Sequence, residues 1–187
     1  YREAGLAKLA VQPGERALEI GFGTGHCLLA LARAAGEAGK VAGVDISEGM
    51  LKVAQERLAA AGLAGRVELH NADAAHLPFE ANTFDAIFMS FCLELFDTPE
   101  IPRVLEQCWK VLRPGGRLCT VTLAKQAQDN LAVRIYEWFH EKMPGVVDCR
   151  PIFARQALQE AGFETDEATQ MSMWGLPVEV ILALKPG

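Results

Sequence analysis

One stretch, Ala17-Leu18-Glu19-Ile20-Gly21-Phe22-Gly23-Thr24-Gly25-His26, constrains this chain more than any other. It reads as a short buried strand that runs into a glycine-rich turn and then a helix. Glycines at alternate positions let backbone amides and carbonyls meet a ligand at close range. A dinucleotide fingerprint would place its third glycine where His26 stands. Glu19 beside the turn is a poor host for a pyrophosphate. It suits a ligand carrying positive charge, such as the amino group of an amino-acid moiety. The bland alternative is a purely structural turn.

The rest of the chain alternates strands and helices around that stretch. Strands are expected at Arg16–Ile20, Val41–Ile46, Val67–Asn71, Phe84–Ser90 and Arg117–Leu123. The helix from about Gly25 to Ala35 is apolar nearly all round and should be buried. Ser47 is a good N-cap for the next helix. Thr98-Pro99-Glu100 reads as a helix start, and Ile101, Val104, Leu105, Cys108, Val111 and Leu112 repeat at helical spacing. Arg113-Pro114-Gly115-Gly116 is expected to break that helix. Beyond Leu123 a helix is expected around Leu131, Ile135, Trp138 and Phe139, and a short one over Arg155–Ala161. Two strands, Phe163–Met173 and Val178–Leu184, are joined too tightly for a parallel crossover and should be antiparallel. The alternation implies a mostly parallel sheet with helices on both faces. Ligands of such sheets sit at the strand C-termini, at the switch point beside the first strand.

Composition narrows the function. The 187 residues suit one domain; half are hydrophobic and 22% charged. With a net charge of −6 and no Lys/Arg cluster, a nucleic-acid partner is disfavoured. No apolar run approaches the roughly 18–20 residues of a membrane span, and no secretory signal is visible. The five scattered cysteines lack a Cys-x-x-Cys pair and read as buried free thiols, with no metal site. That suits a reducing cytoplasm.

Two further acids complete a pattern. Asp45 ends the second strand 20 residues beyond Gly25, where a carboxylate can accept from vicinal ribose hydroxyls. Its alternative is a helix-start acid beside Ser47. Asp73 follows the third strand and could accept from an adenine amine, or be a solvated loop acid. Glu19, Asp45 and Asp73 together outline S-adenosylmethionine, a nucleoside amino acid without phosphate.

At Leu18–Gly25, Val44-Asp45-Ile46-Ser47, Asn71-Ala72-Asp73-Ala74, Leu77-Pro78-Phe79, Phe84-Asp85 and Leu112–Gly116 the chain resembles the class I S-adenosylmethionine-dependent methyltransferases. Within them it is most similar to the ubiquinone/menaquinone-biosynthesis C-methyltransferase-like group, methyltransferase type 11. The resemblance covers residues 5–123 strongly. It implies a Rossmann-like α/β fold with sheet order 3-2-1-4-5-7-6 and strand 7 antiparallel. It also implies an N-terminal helical cover, most of which is expected to fall outside the residues given. One domain over 1–187 is expected, with an acceptor-side insertion at 124–162. The implied cofactor is S-adenosyl-L-methionine, leaving S-adenosyl-L-homocysteine. Its expected contacts are Glu19, Gly21, Phe22, Gly23, Gly25, Asp45, Ile46, Met50, Asp73, Ala74 and Ser90.

The acceptor is less legible. A small apolar or aromatic molecule is expected, and a lipoquinone precursor methylated at carbon is the first reading by resemblance. O- or N-methylation of another metabolite, a non-catalytic binding module and an NAD-dependent oxidoreductase are the rivals. Candidate proton-transfer groups are His26, His76, Glu94 and Asp148. Candidate acceptor contacts are Phe91, Tyr136, His140 and Arg150. Each has a structural alternative: a helix-start contact, a solvated loop, core packing or a local ion pair. A monomer or homodimer is expected, touching a membrane peripherally only if the acceptor is a lipid.

Overall fold

The computed structural model describes residues 1–125, 150–166 and 168–187. The helix expected around Leu131–Phe139, and candidates Tyr136, His140 and Asp148, lie outside the described residues.

The five parallel strands are β1 (Arg16–Ile20), β2 (Lys40–Asp45), β3 (Val67–Asn71), β4 (Phe84–Ser90) and β5 (Leu112–Leu123). They are followed by β6 (Glu164–Thr165), β7 (Thr169–Met173) and β8 (Leu176–Leu184). The sheet order is β3-β2-β1-β4-β5-β8-β6, with β7 also on β8. This is the expected order, with β8 as the antiparallel seventh strand and the sixth split in two. The split has a register cause. Glu164 pairs with Leu184 while Thr169 pairs with Val180, so six residues on one side span five on the other. The extra residue makes a bulge, closed by Asp166, whose N–H donates to Leu182 O and whose Oδ1 accepts from Leu182 N–H.

Helices cover both faces. α1 (Arg2–Leu9), α2 (His26–Ala35) and α3 (Glu48–Ala60) lie over one, where Leu9, Leu28, Leu31 and Leu58 share one buried core with Phe88 and Val121 of the sheet. α4 (Ile101–Val111) and α5 (Ala154–Glu160) lie over the other, where Val104, Leu105 and Leu158 share a second buried core with Ile87 and Leu118. Fully burying such side chains contributes about 1.5–3 kcal/mol each.

Two expectations need correction. The helix ends ahead of Arg113–Gly116, as expected, but the fifth strand starts at Leu112 rather than Arg117, directly after α4. The register on β4 jumps from Phe84↔Leu112 to Ala86↔Arg117, so the glycines are absorbed as a bulge. Gly115 N–H donates to Lys185 O, and Lys185 N–H donates to Gly116 O, which keeps the segment bonded. Nor does α4 start at Thr98. The N–H groups of Glu100 and Ile101 both donate to Asp97 O, closing a turn there, and the helix begins at Ile101.

Two placements matter for the site. Arg117, at the start of the regular part of β5, donates to Leu9 O, so the end of α1 lies at the strand-entry edge. The start of α1, with Tyr1 and Arg2, therefore reaches the opposite edge, where β1, β4 and β5 end. A Cβ on Gly5 would stand 2.5 Å from Val121 Cγ2, so glycine lets this helix lie flat on the sheet. β8 runs antiparallel to β5, with Leu123 opposite Val178. The β7–β8 turn, Trp174-Gly175, has φ of 51° and 85° and projects beyond the same edge.

Candidate functional site

The glycine turn is held by its neighbours on three sides. Gly21, Gly23 and Gly25 all have positive φ (69°, 50° and 78°), a region that costs other residues energy. Gly21 N–H donates to Val44 O, tying the turn to β2. A Cβ on Gly21 would stand 2.4 Å from Cys92 Sγ, and one on Gly25 3.0 Å from Ala54 Cβ. Thr24 O accepts from Arg57 of α3 at 2.7 Å. Gly23 is different: nothing lies within 4 Å of the place its Cβ would take. Its backbone is presented to open space, where a ligand can approach.

Glu19 lies under this turn, 2% exposed, with Oε2 unpartnered. Burial raises its pKa well above the ordinary range; hydrogen bonds from Cys27 and Leu28 and the charge of Arg2 oppose the shift, while Asp45 adds to it. A buried carboxyl with a spare oxygen is a site for a cationic donor. Asp45, at the end of β2, accepts from Gly23 N–H through Oδ2 (2.8 Å) and from Ser47 N–H through Oδ1 (2.9 Å). Each oxygen keeps a second lone pair for a diol. Ser47 caps α3 by accepting from Met50 N–H. Ile46 and Met50 beside it are apolar and exposed. Phe22 and Ala74 are buried.

Asp73 lies at the end of β3, where Oδ1 accepts from Ala75 N–H and Oδ2 sits 3.4 Å from His76 Nδ1. The other nitrogen of His76 contacts Arg103. His76 thus spans from Asp73 to α4. His26 opens α2 beside the turn and is exposed; slight burial, then Arg57 and Arg2, lower its pKa.

The other half of the edge follows β4. Ser90 has an unpartnered, buried Oγ. Phe91 has φ of 50° and donates its N–H to Val121 O. Glu94 is 1% exposed; Oε1 accepts from Leu123 N–H at 3.1 Å, while Oε2 has no partner. Burial pushes its pKa up to about 7 against hydrogen bonds that lower it. Arg150 donates to Phe96 O and lines a cavity of about 390 Å³ with Ile101, Lys125 and Phe153. A larger cavity, about 600 Å³, lies between Tyr1, Arg2, Glu3, Ser90, Phe91 and Met173.

The structure thus gathers Glu19, Gly21, Gly23, Gly25, Asp45 and Ser90 around one turn. Arg150 stands apart, over α4. The candidates read from sequence omit Tyr1, Arg2 and Met173. A signal for Met173 was present: an antiparallel strand beside β5 brings its preceding turn to the site edge. The four described cysteines are buried free thiols. No helix among the described residues is long and apolar enough to cross a membrane.

Comparison with known proteins adds to this geometry. The family model described as "Methyltransferase domain" matches residues 17–116. A demethylmenaquinone methyltransferase of Bacillus cereus (strain B4264) is 41% identical over 118 residues, 63% of this chain and 48% of that protein. One from Geobacillus kaustophilus (strain HTA426) is 35% identical over 144 residues, 77% of this chain and 60% of that protein. The chain therefore spans about half the length of the first of these relatives and three fifths of the second. A solved SAM-dependent methyltransferase from Aquifex aeolicus has the same fold, with TM-score 0.73 at 24% identity over 98% of this chain and 89% of that one.

Proposed function

The chain belongs to the methyltransferase-domain family, and on that premise we propose that it transfers the methyl group of S-adenosylmethionine to a small aromatic acceptor. The observation that carries the reading is the set of spare acceptors around an open glycine. Glu19 Oε2 is buried without a partner and would take the ligand's ammonium. Asp45 keeps free lone pairs for the ribose hydroxyls while its bonded ones hold Gly23 and Ser47 in place. Ile46, 74% exposed, offers an apolar face to the adenine, and Asp73 an acceptor near its amine. The residues fit this cofactor, whose bound sulfonium would supply an electrophilic methyl carbon and leave as S-adenosylhomocysteine.

The protein's part is then alignment and proton handling. Each methyl gained by a neutral acceptor costs it one proton. Among the described edge residues, Glu94 is the carboxyl with a proton affinity near neutrality and a spare oxygen. We assign it the proton. The relatives named demethylmenaquinone methyltransferase support a quinol ring carbon as the atom methylated.

Calorimetry with S-adenosylhomocysteine tests the cofactor. Asp45→Ala removes charge-assisted hydrogen bonds and should weaken binding by about 10–100-fold. Unchanged affinity would overturn the assignment. Incubation with the reduced, short-chain form of demethylmenaquinone should give a product heavier by one methylene. An unreacted quinol, beside turnover of a phenol at oxygen, would move the chemistry to O-methylation.

A further inference from the structure

We propose that the acceptor's aromatic ring binds in the cavity between Tyr1, Phe91 and Met173, at the joint of the α1 start and the β7–β8 hairpin. The inference rests on the methyltransferase reading and says where and by what class of contact the acceptor is held. Three segments far apart in sequence converge there. The ring of Tyr1 meets Phe91 edge to face, with centroids 6.3 Å apart and planes at 84°. The hydroxyl of Tyr1 donates to Ser172 O at 2.5 Å, which fastens the start of α1 to the hairpin. Met173, next along β7, completes the wall with a soft thioether that adapts to ring edges.

Position favours this cavity over the 390 Å³ one. It contains Ser90, the last residue of the strand paired with β1 (Ile20 opposite Met89), and Phe91, which follows it. The next residue, Cys92, is the one pressed against Gly21. A ring held on Phe91 is thus one residue from the glycine turn. No lining residue of the smaller cavity comes from β1, β2 or β4. Phe91 also holds a backbone conformation that aromatic residues rarely adopt, with φ of 50°. Such strain persists where the surroundings over-determine it, and it clusters at ligand clamps. Here it turns the chain sharply out of β4 and places the ring against Tyr1.

The lining suits a planar aromatic ring carrying oxygen. Tyr1, Phe91 and Met173 offer ring and thioether surface, while Arg2 and Ser90 are donors for a phenolic oxygen.

Titration of 1-naphthol, with and without saturating S-adenosylhomocysteine, tests the cavity. Met173→Ala and Phe91→Leu should each weaken naphthol at least tenfold, while S-adenosylhomocysteine affinity stays within twofold and shows that the variants are folded. Phe153→Ala, in the smaller cavity, should leave naphthol affinity within twofold. No naphthol binding by the unaltered chain, or binding that responds to Phe153 and not to Met173 or Phe91, would overturn the proposal. Failure of the methyltransferase reading looks different: S-adenosylhomocysteine does not bind, while the naphthol titrations still answer for the cavity.

Discussion

The two halves of the site edge are built from different materials. The half over β1 and β2 is backbone: three glycines, a strand-end carboxylate bonded to two main-chain N–H groups, and a capped helix start. Its parts lie within about thirty residues of one another. The half over β4, β5 and β8 is side chain: Tyr1, Phe91, Glu94 and Met173, drawn from both ends and the middle of the chain. Backbone geometry admits few substitutions, because a Cβ or a wrong φ is excluded sterically. A side-chain wall can be rebuilt with other residues on the same scaffold. The first half therefore suits a fixed cofactor, and the second an acceptor that differs from one relative to another.

The sharpest way to break that contrast is Gly21→Ala. The new Cβ meets Cys92 Sγ and is forced into a left-handed conformation. Overpacking costs about 1–3 kcal/mol and the conformation about 1–2 more. A loss of about 4 kcal/mol in urea denaturation is expected. Adding Cys92→Ala removes the contact with Sγ but keeps Cβ, which would stand 2.8 Å from the new methyl, so it should restore only part of the steric loss and none of the conformational part. Full restoration would show that φ at Gly21 is dispensable, and the cofactor half would then be less a matter of backbone than proposed.

Glu94 belongs to the second half, where it links the turn after β4 to the end of β5. Its folded pKa, about 7, stands above the ordinary 4.5. The folded state therefore holds a proton that the unfolded state gives up. This contribution to stability is complete below pH 4.5 and is lost as pH rises through 7, amounting to about 3 kcal/mol. Glu94→Gln should flatten the fall in stability between pH 4.5 and 7.5 by about that amount. Glu19, raised by the same burial, keeps its own share of the slope in both proteins. Parallel curves for the two would mean that Glu94 is not the buried acid it is taken to be.

The same contrast explains what could be read from the chain. Gly21-x-Gly23-x-Gly25, Asp45 and Asp73 announce themselves because each is a residue type fixed by its place at a strand end. The sheet order follows from the strand–helix alternation and from the short link before Val178. The start of β5 reads too late, at Arg117, because a proline and two glycines end the helix, while Lys185, just beyond β8, bonds Gly115 and Gly116 and keeps them beside the sheet. Tyr1 and Met173 could not be paired by any local pattern. They meet only because α1 lies flat on β4 and β5, and because β8 returns beside β5. Phe91 carried no sequence sign of its positive φ.

The smallest expected effect separates the halves most cleanly. Gly5 lies in α1, far from the glycine turn in sequence and without contact to the proposed ligands. An added Cβ there would stand 2.5 Å from Val121 Cγ2 and 2.9 Å from Phe88 Cε2. Part of the cost is offset because alanine favours the helix by about 0.8–1.0 kcal/mol over glycine. Relief of the clash must come from lifting α1, since Val121 and Phe88 are fully buried in the central sheet. A net loss of about 1 kcal/mol follows if overpacking takes about 2. Lifting the helix shifts Tyr1 away from Phe91 and strains its bond to Ser172 O. Gly5→Ala should therefore weaken naphthol severalfold and leave Asp45, Gly23 and S-adenosylhomocysteine affinity untouched. Equal loss at both ligands would show that α1 also holds the cofactor half, through the charge of Arg2 beside Glu19, and the division between a backbone half and a side-chain half would have to be redrawn to include the first helix in both.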